Sequence, residues 1–77
     1  VSTSPLEGAI QTESYERYRA ALELLKHRDR EMVVARVEAQ WSLSEIAQRF
    51  GLRTVDAARM AVSRAIRRLS DHMNPRQ

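Results

Sequence analysis

The hydrophobic positions of this 77-residue chain recur at steps of three and four residues, the spacing of one face of an α-helix. In the first third of the chain this stripe comprises Tyr15, Tyr18, Leu22 and Leu25, with Ala21 and Leu24 beside it. The pattern predicts a first helix from about Thr12 to about Lys26 whose stripe faces a core. A second stripe contains Met32, Val33 and Val37, with Ala35 beside it. It predicts a helix capped by Asp29 that reaches about Gln40.

The third predicted helix has signals at both ends. Ser42 and Glu45 have the spacing of a capping box, in which each side chain accepts a hydrogen bond from a backbone N–H of the first turn. Trp41 and the fourth helical residue, Ile46, are spaced as a hydrophobic staple. At the other end, Gly51 suits a left-handed residue that closes the helix, with Leu52 folding back onto the last turn.

A fourth helix follows almost at once, with Thr54 as its expected cap. Its hydrophobic side comprises Val55, Ala58, Val62, Ile66 and Leu69, with Ala65 and Met73 beside them. We expect Ala47 and Gly51 to be small because the third and fourth helices cross closely there. Two helices joined by so tight a turn predict a helix-turn-helix.

The outer side of the fourth helix comprises Asp56, Ala57, Met60, Ser63, Arg64 and Arg67, flanked by Arg59 and Arg68. From Arg59 to Arg68 there are four arginines and no acidic residue. Such a face can be simply solvated. On the second helix of a helix-turn-helix, however, it is the face that enters the major groove. Arginine matches guanine with two hydrogen bonds, and Met60 suits a thymine methyl group, so the pattern favours DNA recognition.

Composition narrows the class further. Hydrophobic residues make up 43% of the chain, with two glycines and two prolines, which favours helices over sheet. Residues 1–40 hold six Lys and Arg against seven Asp and Glu, whereas residues 41–77 hold seven against three. The helix-turn-helix half is therefore the basic half, as expected of a phosphate-binding surface. The absence of cysteine suits a reducing compartment, and no apolar run is long enough for a membrane span, so we expect a cytoplasmic, nucleoid-associated protein.

These patterns predict a small all-α, four-helix domain with a C-terminal helix-turn-helix, whose three-helix core is winged-helix-like but has no wing. We expect residues 1–11 to be a linker or arm of a longer chain, residues 12–73 to be the domain and residues 74–77 to be a tail. The sequence contains no glycine-rich phosphate loop, no Cys/His cluster and no Ser/His/Asp set. We therefore expect no enzyme activity, no metal and no cofactor.

Three blocks of the sequence carry a resemblance to a known family. Asp29–Val37, Ser44–Gly51 and Asp56–Leu69 together resemble the C-terminal region 4 of bacterial RNA polymerase sigma factors, most closely the extracytoplasmic-function (ECF) type and its relatives. The resemblance covers about residues 12–73. The turn between Gly51 and Ser63 is one residue longer than in the commonest members, which affects the register of individual base contacts.

The resemblance implies binding to the promoter −35 element as part of the RNA polymerase holoenzyme. It also implies docking on the flap of the polymerase β subunit and possible inhibition by an anti-sigma factor, with the isolated domain a monomer. Carried over by position, base or groove contacts fall on Thr54, Asp56, Ala57, Arg59, Met60, Ser63 and Arg64. Phosphate contacts fall on Ser42, Ser44, Arg53, Arg67 and Arg68. Asp56 has two interpretations: it accepts a hydrogen bond from cytosine, or it only favours the start of the helix.

Two other functions remain open. A free-standing helix-turn-helix regulator would use the same fold and would usually need a dimer and a palindromic site. An interaction module for RNA polymerase or an anti-sigma factor would scarcely touch DNA, and an exposed Met60 also suits that role.

Overall fold

The computed structural model describes the backbone of residues 5–74 and the side chains of residues 13–74. Over this range the chain forms four α-helices and a short π-helical segment, with no strand. The helices are α1 (Pro5–Leu24), α2 (His27–Val33), the π-helical segment (Val34–Glu38), α3 (Leu43–Arg49) and α4 (Val55–Met73). The predicted all-α class is confirmed. Residues 1–4 of the predicted linker and residues 75–77 of the predicted tail lie outside the described range.

α1 is longer than predicted at its N-terminal end. It begins at Pro5 instead of near Thr12, so residues 5–11 of the predicted linker are helical. Proline suits the first turn of a helix because the N–H it lacks would have no partner within the helix. The helix ends at Leu24, slightly before the predicted Lys26.

Only the last part of the predicted α1 stripe is buried. Ala21, Leu22 and Leu25 are buried and Tyr18 packs against them, whereas Tyr15 and Leu24 are 56% and 64% exposed. The prediction was wrong for Tyr15 because residues 13–17 are all exposed, so the amphipathic pattern extends beyond the part of α1 that has a packing partner. It was wrong for Leu24 because the chain turns there, and the turn directs Leu25 inward instead.

The second helix differs from its prediction at both ends. Lys26 is the N-cap residue, and Asp29 lies inside the first turn of α2. After Val33 the helix widens into the π-helical segment, where the Ala39 N–H donates to the Val34 carbonyl five residues earlier at 3.0 Å. A residue added to each turn rotates the following side chains away from the α-helical face. Met32, Val33 and Ala35 are therefore buried, but Val37, which we predicted to be buried, is 47% exposed.

Both ends of α3 form as predicted. The Ser42 Oγ accepts from the Glu45 N–H at 3.1 Å, and the Glu45 carboxylate accepts from the Ser42 N–H at 2.8 Å, which completes the capping box. At the other end Gly51 has φ +68°, and the Leu52 N–H donates to the Ala47 carbonyl at 2.8 Å. This bond spans six residues, and the Gly51 N–H donates to the Gln48 carbonyl at 3.4 Å, so both bonds of a Schellman motif are present. However, a Cβ on Gly51 would meet nothing within 4 Å, so the glycine is needed for its backbone angle and not, as predicted, for a close crossing.

α4 joins two hydrophobic clusters. Its N-terminal half places Ala58 and Val62 in the α3 cluster, which we define as Met32, Ala35, Ile46, Ala47, Ala58 and Val62. Its C-terminal half places Ala65 and Leu69 in the α1 cluster, defined as Ala21, Leu22, Leu25, Val33, Ala65 and Leu69.

The buried stripe of α4 is narrower than predicted. Val55 and Ile66, both predicted to face the core, are 49% and 38% exposed, whereas Ala58, Val62, Ala65 and Leu69 are buried. Val55 is the first residue of the helix, at the end of the stripe. Ile66 adjoins Ala65, which is completely buried in the α1 cluster, so Ile66 lies at the edge of the buried stripe. No helix in residues 5–74 is long and apolar enough to cross a membrane.

Candidate nucleic-acid interface

One exposed face of α4 brings together the central residues of the predicted DNA-contacting set. Met60, Ser63, Arg64 and Arg67 are all exposed, on the side of the helix opposite Ala58, Val62, Ala65 and Leu69. Met60 has 49% of its surface accessible. Neither Arg64 nor Arg67 forms a salt bridge with an acidic residue of the described range. The face therefore combines two uncompensated positive charges with an apolar side chain and a small polar one.

The N-terminal end of α4 is fixed by its cap. The Thr54 Oγ1 accepts from the Ala57 N–H at 2.9 Å, so the Thr54 hydroxyl already holds the helix start. Ala57 is half-buried. The connection from α3 to α4 runs from Phe50 to Thr54 and includes Arg53, which is exposed. Together the cap and the short connection fix where the exposed face of α4 begins.

Asp56 and Arg59, one turn apart at this end, bind each other. The Arg59 Nε–H donates to the Asp56 Oδ1 at 3.2 Å, and the Arg59 Nη2–H donates to the same oxygen. Both side chains remain more than half exposed, at 65% for Asp56 and 61% for Arg59. The predicted set treated these two residues as separate contacts, whereas the structure makes them a single unit.

Arg68 is directed toward α2. Its Nη1–H donates to the Asp29 Oδ2 at 2.7 Å, and the Asp29 side chain is only 17% exposed. The positive charge of Arg68 is thereby compensated within the protein, unlike those of Arg64 and Arg67. Sequence reasoning missed this pair because Asp29 was interpreted as a helix cap, and nothing local links residues so far apart.

At the start of α3, the residues predicted to bind phosphate are partly engaged already. The capping box uses the Ser42 hydroxyl, and it also uses the Ser42 and Glu45 N–H groups that an anion would need. The Glu45 carboxylate adds a negative charge at the same place. Ser44 is exposed. The helix start therefore offers a phosphate fewer free donors than the sequence suggested.

A basic, aromatic groove lies between α2 and the C-terminal end of α3. It has a volume of about 730 Å³, and its lining includes His27, Arg28, Arg30, Trp41, Arg49 and Phe50. The Arg49 guanidinium lies 4.7 Å from the centre of the Trp41 ring, and that of Arg28 lies 5.4 Å from the centre of the Phe50 ring. None of the lining residues belongs to the predicted DNA-contacting set. Sequence reasoning missed the groove because the Arg28–Phe50 pair joins α2 to the end of α3, which no local spacing signals.

None of the ionisable side chains of the described range lies in its core. Within that range, no three His, Cys, Asp or Glu residues are grouped so as to hold a metal ion, and no polar or charged residue is buried. The group with the most displaced pKa is the Tyr18 hydroxyl, whose pKa is raised by burial and then by the hydrogen bond it donates to Glu38 at 2.7 Å. That hydrogen bond joins α1 to the π-helical segment, far along the chain from the α4 face.

Comparison of the chain with protein-family models, with characterised proteins and with solved structures gives no match.

Proposed function

We propose that this chain is a DNA-binding domain of the helix-turn-helix type, in which α3 and α4 form the motif and α4 is the recognition helix. The observation that carries the proposal is the exposed face of α4, where Met60, Ser63, Arg64 and Arg67 lie together. An α-helix fits the major groove of B-DNA, where arginine and small polar side chains reach base edges. Uncompensated arginines also attract the phosphate backbone.

The short, doubly capped connection supports this assignment. The Schellman motif at the end of α3 and the Thr54 cap of α4 leave few freely rotating residues between the two helices. A recognition helix must be held at a fixed angle to the helix before it, because that helix crosses the DNA backbone and sets the register. The packing of Ile46 and Ala47 against Ala58 and Val62 provides that support.

Within this proposal the most specific function is that of sigma-factor region 4. The domain would bind the promoter −35 element within the RNA polymerase holoenzyme and so direct transcription initiation. The contacts divide into base or groove contacts from Thr54 to Arg64 and phosphate contacts from Arg53 and Arg67, with Ser42 and Ser44 beside them. Arg68 contributes to phosphate binding only where the phosphate competes with Asp29 for its guanidinium. An isolated domain with so few phosphate contacts should bind DNA as a monomer at about micromolar affinity or weaker at physiological salt.

The test is an NMR titration of the 77-residue chain with duplexes that carry ECF-type −35 sequences, at two salt concentrations. We expect shifts concentrated in residues 54–67, larger for one sequence than for the others and reduced by salt. Arg64→Ala should abolish the preferred binding. Arg17→Ala, which removes an equally exposed charge from α1, should leave it unchanged. Equal shifts at every basic residue, whatever the duplex, would contradict the proposal.

The basic, aromatic groove favours a second candidate function, that of an interaction module. Its arginines and its Trp41 and Phe50 rings suit an acidic protein segment with an apolar side chain, such as a surface of RNA polymerase or of an anti-sigma factor. Arg49→Ala would then weaken capture of purified RNA polymerase core but leave DNA binding intact. Arg64→Ala would have the opposite effect. A free-standing regulator would instead form a dimer on palindromic DNA, which analytical ultracentrifugation with one and two half-sites would detect.

A further inference from the structure

The pairing of Asp56 with Arg59 points to a specific base. We propose that Asp56 is a positioning residue that holds Arg59 for a bidentate contact with one guanine in the major groove. This inference rests on the proposed DNA-binding function and names the base that the N-terminal end of α4 recognises.

The Arg59 guanidinium group has two edges that can each donate two hydrogen bonds. Arg59 uses its Nε–H and one Nη2–H, which lie along one edge, to bind the Asp56 Oδ1. Arginine has five N–H donors in a planar fork, so the terminal edge keeps one N–H on each of Nη1 and Nη2. Those two parallel donors match the O6 and N7 acceptors of guanine, which no other base presents together in the major groove.

The position of the pair supports the same contact. Both residues lie in the first two turns of α4, next to the Thr54 cap, and both are mostly exposed. Residues at the N-terminal end of a recognition helix are the ones that contact base edges. Among the described residues, Asp56 is the only acidic residue that forms a salt bridge with an arginine on the exposed face of α4. The other ion pair of this helix, Arg68 with Asp29, lies on the side toward α2.

The carboxylate also changes the balance between specific and nonspecific binding. A free arginine side chain has many rotamers, and holding it in one conformation before binding reduces the conformational entropy lost on complex formation. At the same time a negative charge near the DNA weakens the attraction to any phosphate. Asp56 should therefore lower the affinity for DNA in general while raising the preference for guanine at one position.

The second oxygen of Asp56 gives the unit a further preference. Both hydrogen bonds end on Oδ1, and Oδ2 accepts none from the described residues. It can accept from the amino group of cytosine or adenine but not from thymine or guanine, whose major-groove edges present only acceptors. A base with an exocyclic amino group should therefore be favoured next to the recognised guanine.

The experiment uses the 77-residue chain and the best-binding duplex from a randomised pool, measured by fluorescence anisotropy. Each guanine is replaced in turn by 7-deazaguanine, which lacks the N7 acceptor. We expect one position at which this replacement weakens binding about tenfold or more, and Arg59→Ala should remove the difference there. Asp56→Asn should reduce the difference at this position by about three- to tenfold and should tighten binding to a mismatched duplex.

Asp71→Asn is the matched control, since it removes an equal charge from the exposed surface of the same helix. It should leave the effect of 7-deazaguanine unchanged. In the Arg59→Ala background, Asp56→Asn should no longer alter the preference at the guanine position, because its effect on that base passes through Arg59. Circular dichroism of each variant reports whether the start of α4 has melted, and Asp56→Glu, which keeps the charge, provides a variant with little loss of helix.

The outcomes separate the two proposals. If the wild-type chain binds every duplex alike, both the DNA-recognition function and this inference are wrong. If it prefers one sequence but Asp56→Asn leaves the effect of 7-deazaguanine intact in a folded helix, only the inference is overturned. If Asp56→Asn changes the preference at the guanine position equally with and without Arg59, Asp56 acts on that base directly and is not a positioning residue.

Discussion

The two hydrophobic clusters that α4 joins are stabilised in different ways. The α3 cluster is enclosed by helices whose ends carry local caps, at Ser42, Gly51 and Thr54. The α1 cluster has hydrogen bonds between side chains distant in sequence, Tyr18 to Glu38 and Arg68 to Asp29, at its edges. The part of the molecule that presents the candidate DNA-binding face is thus held by helix caps and the glycine turn as well as by its buried residues.

This difference has a consequence for function. Local caps fix the direction of α4 at its N-terminal half, where the proposed base contacts lie. The ion pair ties α2 to the C-terminal half of α4, and the tyrosine hydrogen bond ties α1 to the π-helical segment, and we expect these exposed contacts to leave more tolerance for change. If the comparison is correct, substitutions around α3 should have larger effects than those around α1.

The largest effect should come from Ile46→Ala. Ile46 is completely buried in the α3 cluster, and truncation of such a side chain destabilises a protein by about 2–5 kcal/mol. For a domain this small, that is much of the total stability. Urea unfolding followed by circular dichroism measures it.

Val37→Ala is the control for that prediction, because Val37 is about half exposed in the π-helical segment. It should change the free energy of unfolding by less than about 0.5 kcal/mol. A loss as large as that of Ile46→Ala would mean that Val37 packs in the core, as the sequence pattern suggested.

A smaller but clear effect should come from Gly51→Ala. Gly51 adopts φ +68° with open space around its Cα, so the loss comes from backbone strain alone, about 1–2 kcal/mol. Gly51→Asn should recover part of this because asparagine enters the left-handed region more readily. Thermal unfolding of both variants measures the difference. Equal stability of the alanine variant and the wild type would contradict the Schellman geometry.

The same division explains which features the sequence predicted. The capping box, the glycine turn and the Thr54 cap each depend on residues within a few positions of one another, so their spacing was sufficient. The face of α4 followed from its period, although Val55 and Ile66 were assigned to the core. Helical periodicity shows which residues share a face but not how far along the helix a partner extends.

The features that the sequence did not predict depend on long-range contacts. Widening of the second helix after Val33 exposes Val37, and no local residue type signals it. The Asp29–Arg68 pair and the Arg28–Phe50 pair of the groove depend on how helices pack. For the candidate site, the sequence indicated the face and its residues, but not that Asp56 and Arg59 bind each other.

Asp29→Asn tests the edge of the α1 cluster, where an ion pair between residues distant in sequence takes the place of local caps. It removes the charge partner of Arg68 and should destabilise the domain by about 1 kcal/mol, between the values for exposed and buried pairs. It should also release the Arg68 guanidinium toward DNA. We therefore expect tighter DNA binding and a salt dependence steeper by about one unit of slope, measured by anisotropy over a range of salt.

The control is the double variant with Arg68→Ala. Without the arginine, Asp29→Asn should leave both the affinity and the salt slope unchanged. If the slope still rises in that background, the carboxylate acts on DNA through the general field of the domain and not through Arg68.

The smallest effect should come from Tyr18→Phe, which removes the hydrogen bond to Glu38 and should reduce stability by about 0.5–1 kcal/mol near neutral pH. In the folded state burial raises the pKa of the Tyr18 hydroxyl, and the hydrogen bond to Glu38 raises it further. A raised folded-state pKa means that the stabilisation is complete below the unfolded pKa, about 10, and is lost as the pH rises above it. The wild type should therefore lose stability above about pH 10 faster than Tyr18→Phe does, in urea unfolding at a series of pH values. A parallel loss of stability in both proteins would show that Tyr18 ionises as readily in the folded state as in the unfolded state. The contact between α1 and the π-helical segment would then have no effect on the Tyr18 pKa.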